Sequence, residues 1–185
     1  YVQKFETDFS KFLKAKKTLT VNNGTSAIHL VYLSLNLKKD DEIIFPAYGY
    51  MAASNIALQL GFKPVFVDVD PETFCISVDK IKNKISTKTK LIVVINTYGN
   101  ICDFNEITKI SKENGIFVLE DAAESLGSTM NNRQSGTFGD FSTFSFQATK
   151  TITTGEGGMA VTNNQVIAKK MELLRAHGIT RDTKL

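Results

Sequence analysis

Hydrophobic and polar positions follow two different periods along this chain, and these periods predict helices and strands in alternation. Apolar residues at helical spacing, closed by turn residues such as Gly61 and Gly115, predict helices at about 5–13, 27–35, 50–60, 78–85, 104–113 and 165–175. Short continuous apolar runs predict strands at about 18–21, 43–45, 64–67, 91–95, 116–119, 141–146 and 159–161.

The order of these elements indicates the fold class. Continuous apolar strands that alternate with amphipathic helices are typical of an α/β fold, in which helices cover both faces of a mostly parallel sheet and make three layers. A chain of 185 residues suits one such domain, which we expect to span residues 1–185. Ligands of these sheets bind beyond the carboxyl ends of the strands, so the residues that follow each strand are candidates for chemistry.

Composition and charge narrow the classes of function. The net charge of +3 goes with lysines that are scattered along the chain without interleaved arginines, which indicates solvated helix faces and not a nucleic-acid surface. No apolar run reaches the roughly 18 to 20 residues of a membrane span, and the N-terminus lacks a signal-peptide pattern. Cys75 and Cys102 look like small buried residues of a reducing compartment, and His29 and His177 have no metal-ligand spacing. We expect a cytoplasmic protein with no metal, membrane or nucleic-acid partner.

Gly24, Thr25 and Ser26 open a predicted helix after the first strand. The free amides and the dipole of a helix N-terminus attract anions, glycine allows a phosphate to approach closely, and hydroxyl groups add hydrogen bonds. The alternative is an ordinary helix cap by Thr25 or Ser26.

Two charged residues follow late strands. Asp121, in Glu120-Asp121-Ala122-Ala123-Glu124, would need a cationic partner if buried, such as a protonated ring nitrogen; the alternative is an exposed acidic turn or a helix cap. Lys150 lies between an apolar strand and a loop rich in Thr and Gly, where a desolvated amine could form a Schiff base; the alternative is a solvated lysine. The loop does not match the Walker A pattern of nucleoside triphosphate sites.

The segment Asp68-Val69-Asp70 resembles the short acidic motif with which many glycosyltransferases bind a metal and a nucleotide sugar. Pro71 and Glu72 follow directly, which makes a strand-ending turn the better interpretation. A metal-dependent nucleotide-sugar transferase using Asp68 and Asp70 remains an alternative function.

Taken together, the segments of this chain resemble the sugar aminotransferases of the DegT/DnrJ/StrS type, which have the fold of the aspartate aminotransferase superfamily. The resemblance spans nearly the whole chain in family order. Its segments are Phe5-Glu6 with Asn23-Gly24-Thr25-Ser26-Ala27, Pro46-Ala47-Tyr48-Gly49-Tyr50, Pro64 to Asp70, Glu120 to Glu124, Gly136 to Asp140, Phe144-Ser145-Phe146, Lys150 to Gly158 and Arg175-Ala176-His177-Gly178.

The resemblance implies pyridoxal phosphate as cofactor and a role for each matching residue. Lys150 would bind the cofactor as a Schiff base and move the proton during transamination, and Asp121 would pair with the pyridinium nitrogen. The remaining cofactor-binding positions are the phosphate ligands Gly24, Thr25, Ser26 and Ser145, Tyr50 against the ring face, and Glu124 near the ring hydroxyl. Lysine at position 150 favours transamination, because related dehydratases carry His there.

The resemblance also implies a reaction and an assembly. Glu124 and the run from Lys150 to Gly158 are similar to perosamine-synthase-like members, which transfer an amino group, here expected from glutamate, to a nucleotide-linked 4-keto-6-deoxy sugar. Family members are homodimers with the active site between subunits, and they are roughly twice this length. The chain lacks their small C-terminal domain and stops at Arg181–Leu185, so we expect a fragment of a longer protein. A non-catalytic domain that binds or senses pyridoxal phosphate is the other alternative.

Overall fold

A computed structural model describes residues 1–179 of the protein, so the expected chain end at Arg181–Leu185 lies outside the described residues. The helices are α1 Val2–Leu13, α2 Gly24–Ser34, α3 Ala52–Gln59, α4 Val78–Lys82, α5 Phe104–Asn114 and α6 Gln165–Arg175. The strands are β1 Lys17–Val21, β2 Glu42–Pro46, β3 Lys63–Val67, β4 Thr89–Ile95, β5 Phe117–Asp121, β6 Thr129–Met130, β7 Arg133–Gln134, β8 Phe141–Ser145 and β9 Gly158–Thr162.

The main sheet has seven strands in the order β1-β9-β8-β5-β4-β2-β3. Strand β9 runs antiparallel to both of its neighbours, and the pairs β8/β5, β5/β4, β4/β2 and β2/β3 are parallel. The prediction of a mostly parallel α/β sheet is confirmed. Strands β8 and β9 are neighbours in the sheet and run in opposite directions, so the loop that connects them lies at the carboxyl end of β8. This loop carries Lys150.

Alternating side chains of the strands fill a core on each face of the sheet, which gives the expected three layers. On one face Leu119 and Phe141 pack with Val31 of α2, Ala57 of α3 and Met171 of α6. On the other face there are two clusters. In the first, Ile92, Val94 and Val118 of the sheet pack with Ile81 of α4 and Ile107 of α5. In the second, Phe144 and Met159 of the sheet pack with Phe9 and Leu13 of α1.

Several predicted bounds were wrong, and each error has a local cause. Helix α4 ends at Lys82 instead of about 85, because the chain turns after Asn83 and directs Ile85 toward the core. Strand β5 continues through Glu120 and Asp121, so both acids belong to a strand and not to the turn after it. The hairpin of β6 and β7 was not predicted, since two-residue strands carry too short a pattern to detect.

The described residues include no helix that is both long enough and apolar enough to cross a membrane. Cys75 and Cys102 are both buried free thiols within the described part of the chain, as the sequence predicted for small core residues.

Candidate active site

A cleft of about 440 Å³ opens at the carboxyl ends of β5 and β8, beside the N-terminus of α2. This is the place where the topology of an α/β sheet puts ligands. The residues that line the cleft are Asn23, Gly24, Thr25, Ile28, Tyr50, Ala52, Ile95, Asp121, Ala123, Glu124, Ser145, Gln147, Thr149, Lys150 and Glu156.

The first turn of α2 presents backbone amides to the cleft. Asn23 is the N-cap: its side-chain oxygen accepts the Ser26 amide at 2.8 Å, and its carbonyl oxygen accepts the Ala27 amide. The alternative prediction that Thr25 or Ser26 caps this helix is therefore wrong, because the capping carboxamide comes one residue before Gly24. The Gly24 and Thr25 amides have no acceptor within a helix and belong to residues that line the cleft, as an anion site requires.

Gly24 lies close to Ser145, the last residue of β8. A Cβ atom at position 24 would meet the Ser145 Cβ at 3.1 Å, so the absence of a side chain lets the helix terminus and the strand end approach each other. Backbone amides of α2 and the Ser145 hydroxyl thus line one corner of the cleft.

Asp121 ends β5 and is only 5% exposed. The alternative of an exposed acidic turn is wrong, since the carboxylate is buried and accepts the Ala123 amide at 3.1 Å. Burial raises the pKa of Asp121 to about 6, although the Ala123 amide and the charge of Lys150 act in the opposite direction. The contacts of Asp121 only partly compensate the cost of burying its negative charge, and a cation bound in the cleft would stabilise the carboxylate.

Lys150 lines the same cleft from the loop between β8 and β9. Its side chain is 25% exposed, and its Nζ lies 3.5 Å from Oε1 of Glu124. The other Glu124 oxygen accepts the Tyr98 amide at 3.0 Å, which fixes the carboxylate. The Lys150 backbone is in a turn closed on Gln147, and the Thr154 amide bonds to the Phe146 carbonyl, so the loop is anchored to the end of β8. The interpretation of Lys150 as a simply solvated lysine does not fit this setting.

The structure brings together seven of the eight residues that the family resemblance assigned to the cofactor. Gly24, Thr25, Asp121, Ser145 and Lys150 line the cleft with Glu124 and with Tyr50, whose ring is 75% exposed at its rim. Ser26 is not part of the lining, and its amide donates to the Asn23 carboxamide oxygen.

Sequence reasoning missed several polar residues of the cleft wall. Asn23 could have been found from its position one residue before a glycine that opens a helix, which is the position of an N-cap. Gln147, Thr149 and Glu156 lie on the loop between β8 and β9, and no local pattern distinguishes an inward from an outward side chain on such a loop.

The neighbouring acid Glu120 points to the other face of the sheet and serves a different purpose. Its Oε1 accepts the Gly136 amide at 2.6 Å together with the Asn96 carboxamide and the Ser135 hydroxyl, and its Oε2 accepts the Phe138 amide at 2.8 Å. Burial raises the pKa of Glu120, while the Gly136 and Phe138 amides and the Ser135 hydroxyl oppose the shift. Glu120 therefore organises the loop before β8, and Asp121 is the acid that faces the cleft.

The Asp68-Val69-Asp70 segment leads from β3 into a turn: Val69 forms an isolated β-bridge with Ile76, and residues 71–73 make the turn itself. Oδ1 of Asp70 accepts the Glu72 amide at 3.0 Å, the Thr73 amide at 2.8 Å and the Thr73 hydroxyl, which is the geometry of a side-chain-capped turn. Within residues 1–179, no group of three or more His, Cys, Asp or Glu side chains is arranged to bind a metal.

Comparisons with known proteins identify the family of this chain. The model of the DegT/DnrJ/EryC1/StrS aminotransferase family matches residues 1–185. GDP-perosamine synthase of Vibrio cholerae is 42% identical over 97% of this chain and 49% of its own length, so the chain spans about half of this curated relative.

Two solved structures have the same fold with a TM-score of 0.94. The aminotransferase of Psychrobacter cryohalolentis is 32% identical and is matched over 97% of this chain and 46% of its own. A GDP-4-keto-6-deoxymannose-3-dehydratase with a trapped PLP-glutamate geminal diamine is 39% identical, over 99% of this chain and 49% of its own. Because the family model matches all of residues 1–185, the chain belongs to the DegT/DnrJ/EryC1/StrS aminotransferase family.

Proposed function

We propose that residues 1–185 form the cofactor-binding domain of a pyridoxal-phosphate-dependent aminotransferase that acts on a nucleotide-linked keto sugar. One observation carries this proposal: Lys150 and the buried, poorly compensated Asp121 line the same cleft, next to the amide-presenting N-terminus of α2. The amine, the acid and the anion site suit three groups of pyridoxal phosphate, namely the aldehyde, the ring nitrogen and the phosphate.

The residues of the cleft fit the cofactor group by group. The phosphate would bind the Gly24 and Thr25 amides and the Ser145 hydroxyl, where the helix dipole favours negative charge. Ser26, whose amide is engaged by Asn23, would reach the phosphate at most through its hydroxyl. Asp121 would pair with the pyridinium nitrogen, and that pairing would remove the cost of burying its carboxylate.

The other side of the cofactor would be fixed by Lys150, Glu124 and Tyr50. Lys150 would bind the aldehyde carbon, Glu124 would lie beside the ring hydroxyl, and the exposed Tyr50 ring would cover one face of the pyridine. Bound pyridoxal phosphate supplies an electron-withdrawing ring that stabilises negative charge on the substrate carbon. Asp121 would keep the ring nitrogen protonated, and the Lys150 amine would serve as the acid and base that moves the proton at the reacting carbon.

For the substrates we propose L-glutamate as amino donor and a GDP-linked 4-keto-6-deoxy sugar as acceptor. The similar GDP-perosamine synthase supports the GDP sugar, and the similar dehydratase with a trapped PLP-glutamate geminal diamine supports glutamate. We propose a homodimer because the Tyr50 ring at the cleft rim is largely uncovered by this chain, and a cytoplasmic location because the thiols of Cys75 and Cys102 are free.

The test uses the full-length protein loaded with pyridoxal phosphate. Adding L-glutamate should convert the cofactor to its amine form, so the absorbance of the Schiff base is lost and 2-oxoglutarate is released. Adding the GDP-linked keto sugar should then restore the starting spectrum. Bound pyridoxal phosphate that glutamate never converts to the amine form would favour the binding or sensing domain instead. Turnover that requires a divalent cation and no aldehyde cofactor would favour the metal-dependent transferase.

A further inference from the structure

Gly158 is the first residue of β9 and lies between two strand ends that frame the cleft. In the sheet it is paired with Val21, the last residue of β1, and with Ser145, the last residue of β8. It is buried, and it directly follows the loop that carries Lys150. A single backbone position therefore adjoins the segment leading into α2, the Ser145 strand end and the lysine loop.

Space, and not conformational freedom, requires glycine here. A Cβ atom at position 158 would overlap the backbone carbonyl group of Asn23 and would come within 2.8 Å of the Gly24 nitrogen. These are main-chain atoms, which cannot rotate away as the end of a flexible side chain can. By contrast, Gly115 has φ +64 and no atom within 4 Å of an added Cβ, so there only the conformation calls for glycine.

The backbone that Gly158 contacts is the same backbone that organises the N-terminus of α2. The Asn23 carbonyl accepts the Ala27 amide, and the Asn23 side chain accepts the Ser26 amide at 2.8 Å. A displacement of Asn23 would rotate the first turn of α2 and carry the Gly24 and Thr25 amides away from Ser145. The close packing at position 158 thus sets the geometry of the anion site.

We propose that Gly158 is a positioning residue that fixes the distance between the anion-binding turn of α2 and the loop of Lys150. This inference rests on the proposed function, because it takes the anion to be the phosphate of pyridoxal phosphate. Its consequence is specific: enlarging residue 158 impairs recognition of the phosphate and leaves the chemistry of the Lys150 amine in place.

The test compares two aldehydes that differ only by the phosphate, pyridoxal phosphate and pyridoxal, in the full-length protein and its Gly158→Ala variant. The preference for pyridoxal phosphate should fall by about tenfold to a hundredfold in the variant, as expected for loss of one charge-assisted hydrogen bond. Pyridoxal affinity should change little. Gly115→Ala is the matched control: it also adds one methyl group and strains the fold, but it precedes the amino end of β5, whereas the cleft lies at the carboxyl end, and it should keep the full preference.

The outcomes separate the two proposals. A wild-type protein that binds pyridoxal phosphate no better than pyridoxal would contradict the proposed phosphate site itself. A wild-type preference that Gly158→Ala retains in full would contradict only the role of Gly158.

If Gly158→Ala does not fold, a second measurement tests the role of Gly158 in the wild-type protein. Deuterium exchange of the wild-type protein is compared between its pyridoxal phosphate and pyridoxal forms. The phosphate should slow amide exchange in residues 22–27 and 156–160 together, and exchange in residues 139–141 should stay unchanged. Protection confined to residues 22–27 would overturn the proposal.

Discussion

Two adjacent carboxylates of β5 show how the environment of each residue assigns its role. Glu120 points to one face of the sheet and is surrounded by neutral donors, whereas Asp121 points to the other and accepts the Ala123 amide beside an open cleft. The sequence identified Asp121 through the burial cost of an acid after an apolar strand, but periodicity alone could not assign the two side chains to their faces. That assignment depends on the register of β5 with β4 and β8.

Replacing Asp121 by Asn should stabilise the cofactor-free protein at neutral pH. The folded-state pKa of about 6 exceeds the ordinary value of 3.8, so between these values the folded chain binds more protons than the unfolded chain. The contribution of Asp121 to stability therefore falls as pH rises from about 4 to 6 and stays low above it, by about 2–3 kcal/mol in order of magnitude.

Urea unfolding of cofactor-free wild-type protein and Asp121→Asn at several pH values measures this effect. The advantage of the variant should grow from pH 4.5 to 7 and then remain constant. An advantage that does not depend on pH, or a variant less stable at pH 7, would show that the Asp121 carboxylate is not strained by burial.

At the level of secondary structure, the sequence predicted the types of the main elements well and their ends less well. Apolar runs and amphipathic periods identified the strands of the main sheet and the helices, because burial of one face dictates those patterns. The antiparallel direction of β9 and the capping of α2 by Asn23 were not predicted. Both depend on contacts with segments distant in sequence or on the geometry of a single turn.

Asn23 should contribute both to stability and to cofactor binding, and Asn164 offers a matched control. Both residues cap a helix by accepting backbone amides, at the start of α2 and of α6 respectively, but only Asn23 lines the cleft. Alanine at either position should reduce the free energy of unfolding by about 1 kcal/mol. Only Asn23→Ala should also weaken binding of pyridoxal phosphate relative to pyridoxal. If both substitutions changed the affinity for pyridoxal phosphate relative to pyridoxal by the same factor, the Asn23 cap would have no specific role in the anion site.

At the level of the whole molecule, contacts between distant segments hold the two ends of the described chain together. Arg175 of α6 pairs with Glu6 of α1 and also donates to the Thr20 carbonyl, so three elements meet at one guanidinium. Burial raises the pKa of Glu6, but the Thr20 amide and Arg175 lower it below its ordinary value overall. The sequence named both residues as parts of the family resemblance, but no local pattern reveals that residues 6 and 175 touch.

Replacing Arg175 by Met should reduce the free energy of unfolding by about 1–2 kcal/mol, because the largely buried Glu6 carboxylate loses its cation. The stabilisation by Glu6 is present above its ordinary pKa of 4.5 and is lost as pH falls through the lower folded value. Unfolding curves at pH 7 should therefore differ more between wild type and variant than curves at pH 3.5. A loss that is equal at both pH values would assign the effect of Arg175 to packing alone.

Borohydride reduction of the full-length protein with bound pyridoxal phosphate, followed by mass analysis of its peptides, tests the central claim most directly. Reduction converts a Schiff base into a stable secondary amine, so the attached lysine keeps the mass of the cofactor. We predict the label on Lys150, and none in a Lys150→Ala variant that retains its fold. A label on another lysine, or no label at all, would contradict the assignment of this cleft as the cofactor site.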